Sequence, residues 1–217
     1  MKRKEFIETS SGLNRSELLE IAVNARKNVE KMISEDTKAM FHCLDEETVV
    51  EERYFETGWG KTHVYVVRSL NHKDEKLPVV VNAHGGGWTL EHSERDFYFC
   101  RRMAYLAGCV VFDIDYVLAP EHPYPAATED AMKAWNYLML LGYGARDVIV
   151  TGDSAGGNLA LSLVLKLKEQ ERLLPRGIVL MSPWTDLTGE GKTFQTKAEL
   201  DPVLDKEYID RMTKAYA

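Results

Sequence analysis

Apolar residues recur along this chain at two different periods, and the change of period divides it. Leu18, Ile21, Ala22, Ala25, Val29, Met32 and Ile33 fall at helical spacing with charges between them, which predicts an amphipathic helix over 15–33. Asn14, with Glu17 three residues on, has the form of a capping box at its start. A second, short helix is expected over 36–43. Residues 48–57 and 62–68 read as two strands joined by Gly58-Trp59-Gly60-Lys61, and 71–76 as a solvated loop closed by Pro78. Beyond Pro78 the alternation stops. Val79-Val80-Val81, Val110-Val111-Phe112, Val148-Ile149-Val150 and Ile178-Val179-Leu180-Met181 are short continuous apolar runs, the mark of strands covered on both faces. Helical segments lie between them: 94–107 ending at Gly108, one through Ala131, Ala134, Trp135 and Leu138 ending near Gly142, and 158–173. Buried strands alternating with helices predict an α/β fold, a mostly parallel sheet with flanking helices.

Length and composition narrow the function. The 217 residues suit about one domain, and 45% hydrophobic with 28% charged residues is too apolar for disorder. Lys+Arg 27 against Asp+Glu 34 leaves a net charge of −7, which argues against nucleic acid as a partner. No apolar run approaches the ~20 residues of a membrane span. The basic start Met1-Lys2-Arg3-Lys4 has no apolar stretch behind it, so a secretory signal is not expected. Cys43, Cys100 and Cys109 are odd in number and form no Cys-x-x-Cys pair, which fits reduced thiols in a cytoplasmic protein. No metal or organic cofactor is implied.

Two motifs carry chemistry. Gly152-Asp153-Ser154-Ala155-Gly156 matches the nucleophile elbow G-x-S-x-G and sits between an apolar strand and a helix. A sharp turn there would lift the Ser154 hydroxyl clear of the sheet, with small residues where strand and helix backbones approach. His84-Gly85-Gly86-Gly87-Trp88 follows the 79–81 strand directly. Successive glycines let backbone N–H groups converge on one spot, and an ester hydrolase needs such donors for the charge that develops on the carbonyl oxygen. The loop precedes the nucleophile in sequence, as an oxyanion loop should.

Together with Asp115-Tyr116-Val117-Leu118-Ala119-Pro120-Glu121-His122-Pro123 and Ser182-Pro183-Trp184-Thr185-Asp186, these motifs make the chain resemble the hormone-sensitive-lipase family of α/β-hydrolase esterases. The resemblance covers residues 78 onward and, more weakly, the N-terminal helix and hairpin. It implies Ser154 as the nucleophile, an oxyanion hole from the amides of Gly86, Gly87 and Ala155, and support of the loop by His84 and Gly85. It also implies a small-molecule ester as the substrate. Residues 1–45 would be an N-terminal helical cap segment, 46–190 the N-terminal part of the hydrolase core, and 191–217 a partial cap helix. Val117 departs from the family, which usually carries Arg there.

A second departure concerns the catalytic triad, whose order in this fold is Ser, then Asp or Glu, then His. All six histidines, His42, His63, His72, His84, His92 and His122, precede Ser154. Asp201-Pro202 is not taken as the family's acid. Leu204, Tyr208, Ile209, Met212 and Tyr216 recur helically behind it, so Asp-Pro is expected as an N-cap and first helical position. His42, His63, His72 and His92 are expected to be solvated, and His84 to shape its loop. The sequence therefore describes an incomplete esterase, with the 178–181 strand left as an exposed edge able to pair with a second copy. Three readings stay open: a serine carboxylesterase acting on small acyl esters, an inactive or ligand-binding remnant, and an amide hydrolase such as an arylformamidase.

Overall fold

The computed structural model describes residues 12–29, 31, 33–57, 60–72, 77–201 and 204–217. Helix α1 spans Arg15–Val29 and opens on the expected box. Asn14 Oδ1 accepts from Ser16 and Glu17 N–H at 2.9 and 3.1 Å, and Glu17 Oε2 accepts from Asn14 N–H at 2.7 Å. It stops short of the expected residue 33, and Met32 lies outside the described residues. Ser34 then caps α2, Glu35–Phe41, so the second helix ends before His42 instead of including it. Strands β1 (Thr48–Thr57) and β2 (Gly60–Ser69) form the hairpin. Gly58 and Trp59 of the expected loop lie outside the described residues, while Gly60 and Lys61 already belong to β2.

The apolar runs become β3 (Val79–Ala83), β4 (Val110–Asp115), β5 (Val148–Asp153) and β6 (Gly177–Met181). The sheet order is β1-β2-β4-β3-β5-β6. The β1–β2 and β2–β4 pairs are antiparallel, and the others are parallel. Helix α3, Glu94–Ala107, has the expected bounds: Ser93 and Asp96 box its start, and Gly108 at φ 57° ends it in the left-handed conformation that glycine adopts without a Cβ penalty. Helix α4 is Ala126–Leu140, and α5 is Ser154–Glu169. The latter corrects the expected 158–173. The elbow residues themselves form its first turn, which spacing cannot reveal because Gly-rich turns carry no apolar period.

Two cores flank the sheet. Val79, Val81, Val150, Trp135, Leu159 and Leu163 are buried on the α4–α5 side, each removing apolar surface worth ~1.5–3 kcal/mol from water. Val67, Val111, Cys100 and Ala104 form a smaller core beneath α3. Strand β6 departs from the expected two-sided cover. Ile178 is 36% and Val179 53% exposed, because β6 is outermost and α3 packs on β1, β2 and β4. The C-terminal region holds the short α6, Thr193–Thr196, and α7, Lys206–Tyr216. The expected Asp201-Pro202 cap is corrected here. Asp205 caps α7 by accepting from Tyr208 N–H at 2.6 Å, whereas Asp201 closes a separate turn onto Leu204 N–H at 2.9 Å. Pro202 lies outside the described residues.

Candidate active site

Parallel pairing sets Ala83 of β3 opposite Gly152 of β5, so the segments following both strands emerge side by side at the carboxyl edge of the sheet. That edge is where α/β sheets bind ligands. Ser154 follows β5 at φ 51°, a left-handed conformation costing an L-residue ~1–2 kcal/mol. The strain persists because glycine packing around it is over-determined. A Cβ on Gly152 would stand 2.4 Å from Gly156 O, one on Gly156 2.0 Å from Ala83 O, and one on Gly157 2.9 Å from Pro183 Cβ.

The glycine loop is built with equal constraint. Gly86 and Gly87 have φ of 112° and 61°, and Trp88 of 58°. Gly85 N–H donates to Asp153 Oδ1 at 2.8 Å, tying the loop to the residue before Ser154. The Tyr116 hydroxyl donates to His84 O at 2.7 Å, and its ring stacks on the His84 imidazole at 4.4 Å.

Three peptide planes decide where the free donors point. In a trans peptide the C=O and the following N–H are antiparallel, so holding one aims the other. Gly85 O accepts from His84 Nδ1 at 2.7 Å, which turns the Gly86 N–H away from that imidazole. Gly86 O accepts from Thr89 and Leu90 N–H at 3.1 and 3.0 Å, which fixes the Gly87 N–H in the same way. Ser154 O accepts from Trp184 N–H at 2.9 Å, which fixes the Ala155 N–H. Among the described residues none of these three N–H groups has an acceptor. The amide of Ala155 also belongs to the first turn of α5, where N–H groups lack intrahelical partners and the helix dipole favours negative charge.

Helices α1 and α7 close over the loop. Arg26 Nε donates to Thr89 O at 2.7 Å and Nη2 to Ala119 O at 3.1 Å, while its guanidinium pairs with Glu121. Burial works to raise the Glu121 carboxyl, but hydrogen bonds and the Arg26 charge outweigh it and hold it below its usual value. Tyr216 stacks on Trp88 at 4.0 Å and 9°, Trp184 lies 5.0 Å from the Trp88 ring, and Met212 fills the space a Cβ on Gly87 would need.

The histidines follow the expectation only in part: His84 is bonded within its loop. His42 is exposed and pairs with Asp45. His63 is half-buried with Nδ1 3.2 Å from Asp115, and His72 lies beside Gly108, at the opposite edge of the sheet from Ser154. His122 lies within electrostatic reach of Glu121 and Asp130. The expectation of a solvated His92 is corrected: its side chain is 4% exposed and its Nε2 is 2.5 Å from Asp113 Oδ2. A loop histidine reads as solvated unless the sequence reveals the buried carboxylate that neutralises it, and Asp113 looks like an interruption of an apolar strand. Sequence reasoning also missed the positions of Asp153, Tyr116 and Arg26. Asp153 stands inside the elbow motif and Tyr116 inside the Asp115–Pro123 motif, so both could have been singled out; nothing in the spacing of α1 marks Arg26.

A family profile for the alpha/beta hydrolase fold matches residues 80–217. An esterase of Acinetobacter venetianus is 36% identical over 138 residues, 64% of this chain and 46% of that protein. The hormone-sensitive lipase of Mus musculus is 32% identical over 143 residues, 64% of this chain and 19% of that protein. Among solved structures, a hyperthermophilic esterase from Pyrobaculum calidifontis superposes with a TM-score of 0.78 at 30% identity, over 96% of this chain and 70% of that one. An esterase of the bacterial hormone-sensitive lipase family gives 0.71 at 25% identity, over 94% and 70%. The chain belongs to the alpha/beta hydrolase fold family. It spans about half the length, or less, of the curated relatives it matches.

Proposed function

We propose that this chain is the Ser-bearing part of a carboxylic-ester hydrolase that works through an acyl-enzyme on small acyl esters. Ser154 is the nucleophile, and Gly86, Gly87 and Ala155 N–H bind the oxyanion, with His84 and Gly85 shaping the loop. The supporting observation is that these three unspent amides are each aimed by a hydrogen bond on the carbonyl of their own peptide unit, around a serine held in a left-handed turn. Donors fixed in advance at such a site contribute ~3–4 kcal/mol each to the transition state. In the chemistry, Ser154 Oγ adds to the ester carbonyl, charge builds on the oxygen facing the amides, and the alcohol leaves. Water then repeats the addition to release the acid.

The serine needs a general base. His42, His63, His84 and His92 are committed to Asp45, Asp115, Gly85 O and Asp113, so a histidine and its acid are proposed to come from polypeptide outside these residues. Strand β6 supports an addition of that kind. The opposite edge strand, β1, carries Glu51, Glu52, Arg53 and Glu56, charges that discourage pairing, whereas Gly177–Met181 carries none. A second copy is another occupant for that edge. Residues 1–45 and 191–217 are read as cap, with 46–190 as core, since α1 and α7 both bear on the glycine loop. The exposed free thiol of Cys43 fits a reducing, cytoplasmic setting.

A second reading, a non-catalytic remnant, is favoured by the same commitment of the histidines. Hydrolysis of p-nitrophenyl acetate, measured with added imidazole as an external base, separates the two. The unaltered chain is expected to exceed its Ser154→Ala variant; equal rates would remove Ser154 from the mechanism and support the remnant. Faster cleavage of N-formylkynurenine than of acetyl esters would move the activity to amides.

A further inference from the structure

The oxyanion loop rests on a buried ionic cluster that ester hydrolysis as such does not call for. Asp113 is completely buried in the middle of the sheet, and three groups converge on it. Asn82 Nδ2 donates to Oδ1 at 2.8 Å, Cys100 Sγ donates to Oδ2 at 3.1 Å, and His92 Nε2 reaches Oδ2 at 2.5 Å. His92 closes the segment that begins with the glycine loop, and its ring stands edge-on to His84 at 5.4 Å and 83°. The remaining ring nitrogens, His84 Nε2 and His92 Nδ1, are both buried and, among the described residues, have no hydrogen-bond partner.

The geometry points to His92, as an imidazolium paired with Asp113, being the positioning residue that selects the tautomer of His84 and thereby aims the Gly86 N–H. A neutral imidazole carries one proton and one lone pair. A cation beside the ring, 5.4 Å away between centroids, favours a lone pair on the nitrogen that no hydrogen bond engages, Nε2, and so reinforces the proton on Nδ1. That proton is the one donated to Gly85 O at 2.7 Å. With the proton on Nε2 instead, two lone pairs would face each other across that distance, and the Gly85–Gly86 peptide plane would lose its anchor. The cost would fall on the amide assigned above to the oxyanion, so the inference rests on that reading for its catalytic meaning but not for its geometry.

The surroundings of His92 favour the cation. Burial opposes the charge, but Asp113, its hydrogen bond, Asp96 and Asp115 together raise the imidazole above its ordinary value. Tyr65 of β2 lies against the ring at 4.8 Å, with Cys100 of α3 sharing Asp113 and Arg95 beyond Asp96. The two neighbours able to ionise at high pH stay neutral: burial pushes Tyr65 and Cys100 upward. Because the folded-state value is raised, the positioning is complete below the unfolded histidine's value and is lost as pH rises through the folded one.

Imidazole and amide nitrogen spectroscopy on the ¹⁵N-labelled chain tests this without any turnover. In the unaltered protein His84 is expected to show its proton on Nδ1 while His92 is doubly protonated. Deprotonation of His92 is expected to shift His84 toward mixed tautomers, and the Gly86 amide resonance to move with the same midpoint. His92→Gln keeps a donor for Asp113 but no charge, and should leave His84 mixed and the Gly86 amide insensitive over that range. If His92→Gln does not fold, the titration of the unaltered chain decides alone. A His84 pattern and a Gly86 resonance that ignore the His92 titration would overturn the inference, even were Ser154-dependent hydrolysis observed. Loss of hydrolysis with the coupling intact would instead count against the esterase reading.

Discussion

Replacing Gly156 by Ala adds a single methyl group at the tightest point of the molecule. The new Cβ would lie 2.0 Å from Ala83 O and 2.4 Å from His84 O, against the ~3.5–4.0 Å of a comfortable contact. Both obstacles are backbone carbonyls, and Ala83 is paired on both sides, to Ile114 of β4 and Gly152 of β5. Neither can swing aside as a side-chain terminus would, so α5 must lift by roughly an ångström from β3. Overpacking of this kind costs ~1–3 kcal/mol, and an unyielding site belongs at the upper end. With a urea m-value of ~2 kcal/mol/M for a chain of this size, the unfolding midpoint should fall by ~1.5 M. Gly177→Ala is the control, since a Cβ there meets nothing within 4 Å, and should stay within ~0.5 kcal/mol of the parent. Midpoints that fall equally in both variants, or an unshifted Gly156→Ala, would refute the claim that backbone contact between α5 and β3 fixes the elbow.

Two further outcomes are expected. Because Ser154 sits at φ 51°, Ser154→Gly should be more stable than Ser154→Ala by roughly 1 kcal/mol in the same denaturation assay, relief of left-handed strain outweighing glycine's entropy. Asp130 is buried and its carboxyl is raised by that burial, only partly offset by the hydrogen bond from Val117 N–H. The folded state therefore holds this proton more tightly than the unfolded one. The parent's stability should gain on that of Asp130→Asn as pH falls from 7 toward 4, in paired thermal melts; a constant difference would contradict the assignment.

Much of the candidate site's geometry was legible in the chain. Apolar runs without alternation announce strands β3, β4 and β5, and the glycines of the two motifs announce close approach, because a missing Cβ is a sequence fact with a direct steric consequence. The α1 box and the α3 bounds were legible for a similar reason, since caps and left-handed glycines act on their own neighbours. Legibility failed where the cause lay far off in sequence. His92 looked solvated because Asp113, 21 residues away, is what buries it. The α7 start was misplaced by four residues because Asp201 and Asp205 are equally plausible caps until the packing of Ile209, Met212 and Tyr216 selects one. Strand β6 has the composition of an interior strand, and only the sheet order shows it at the edge.

By itself, the sequence determined the class of fold and which motifs are candidates for chemistry, since period, glycine placement and the serine's neighbours are local properties of a chain. Only the tertiary structure decided which amides are unspent, which carbonyls aim them, and which histidines are already engaged. Those are relations between strands and loops that meet in space, where hydrogen bonding and burial act irrespective of distance along the chain.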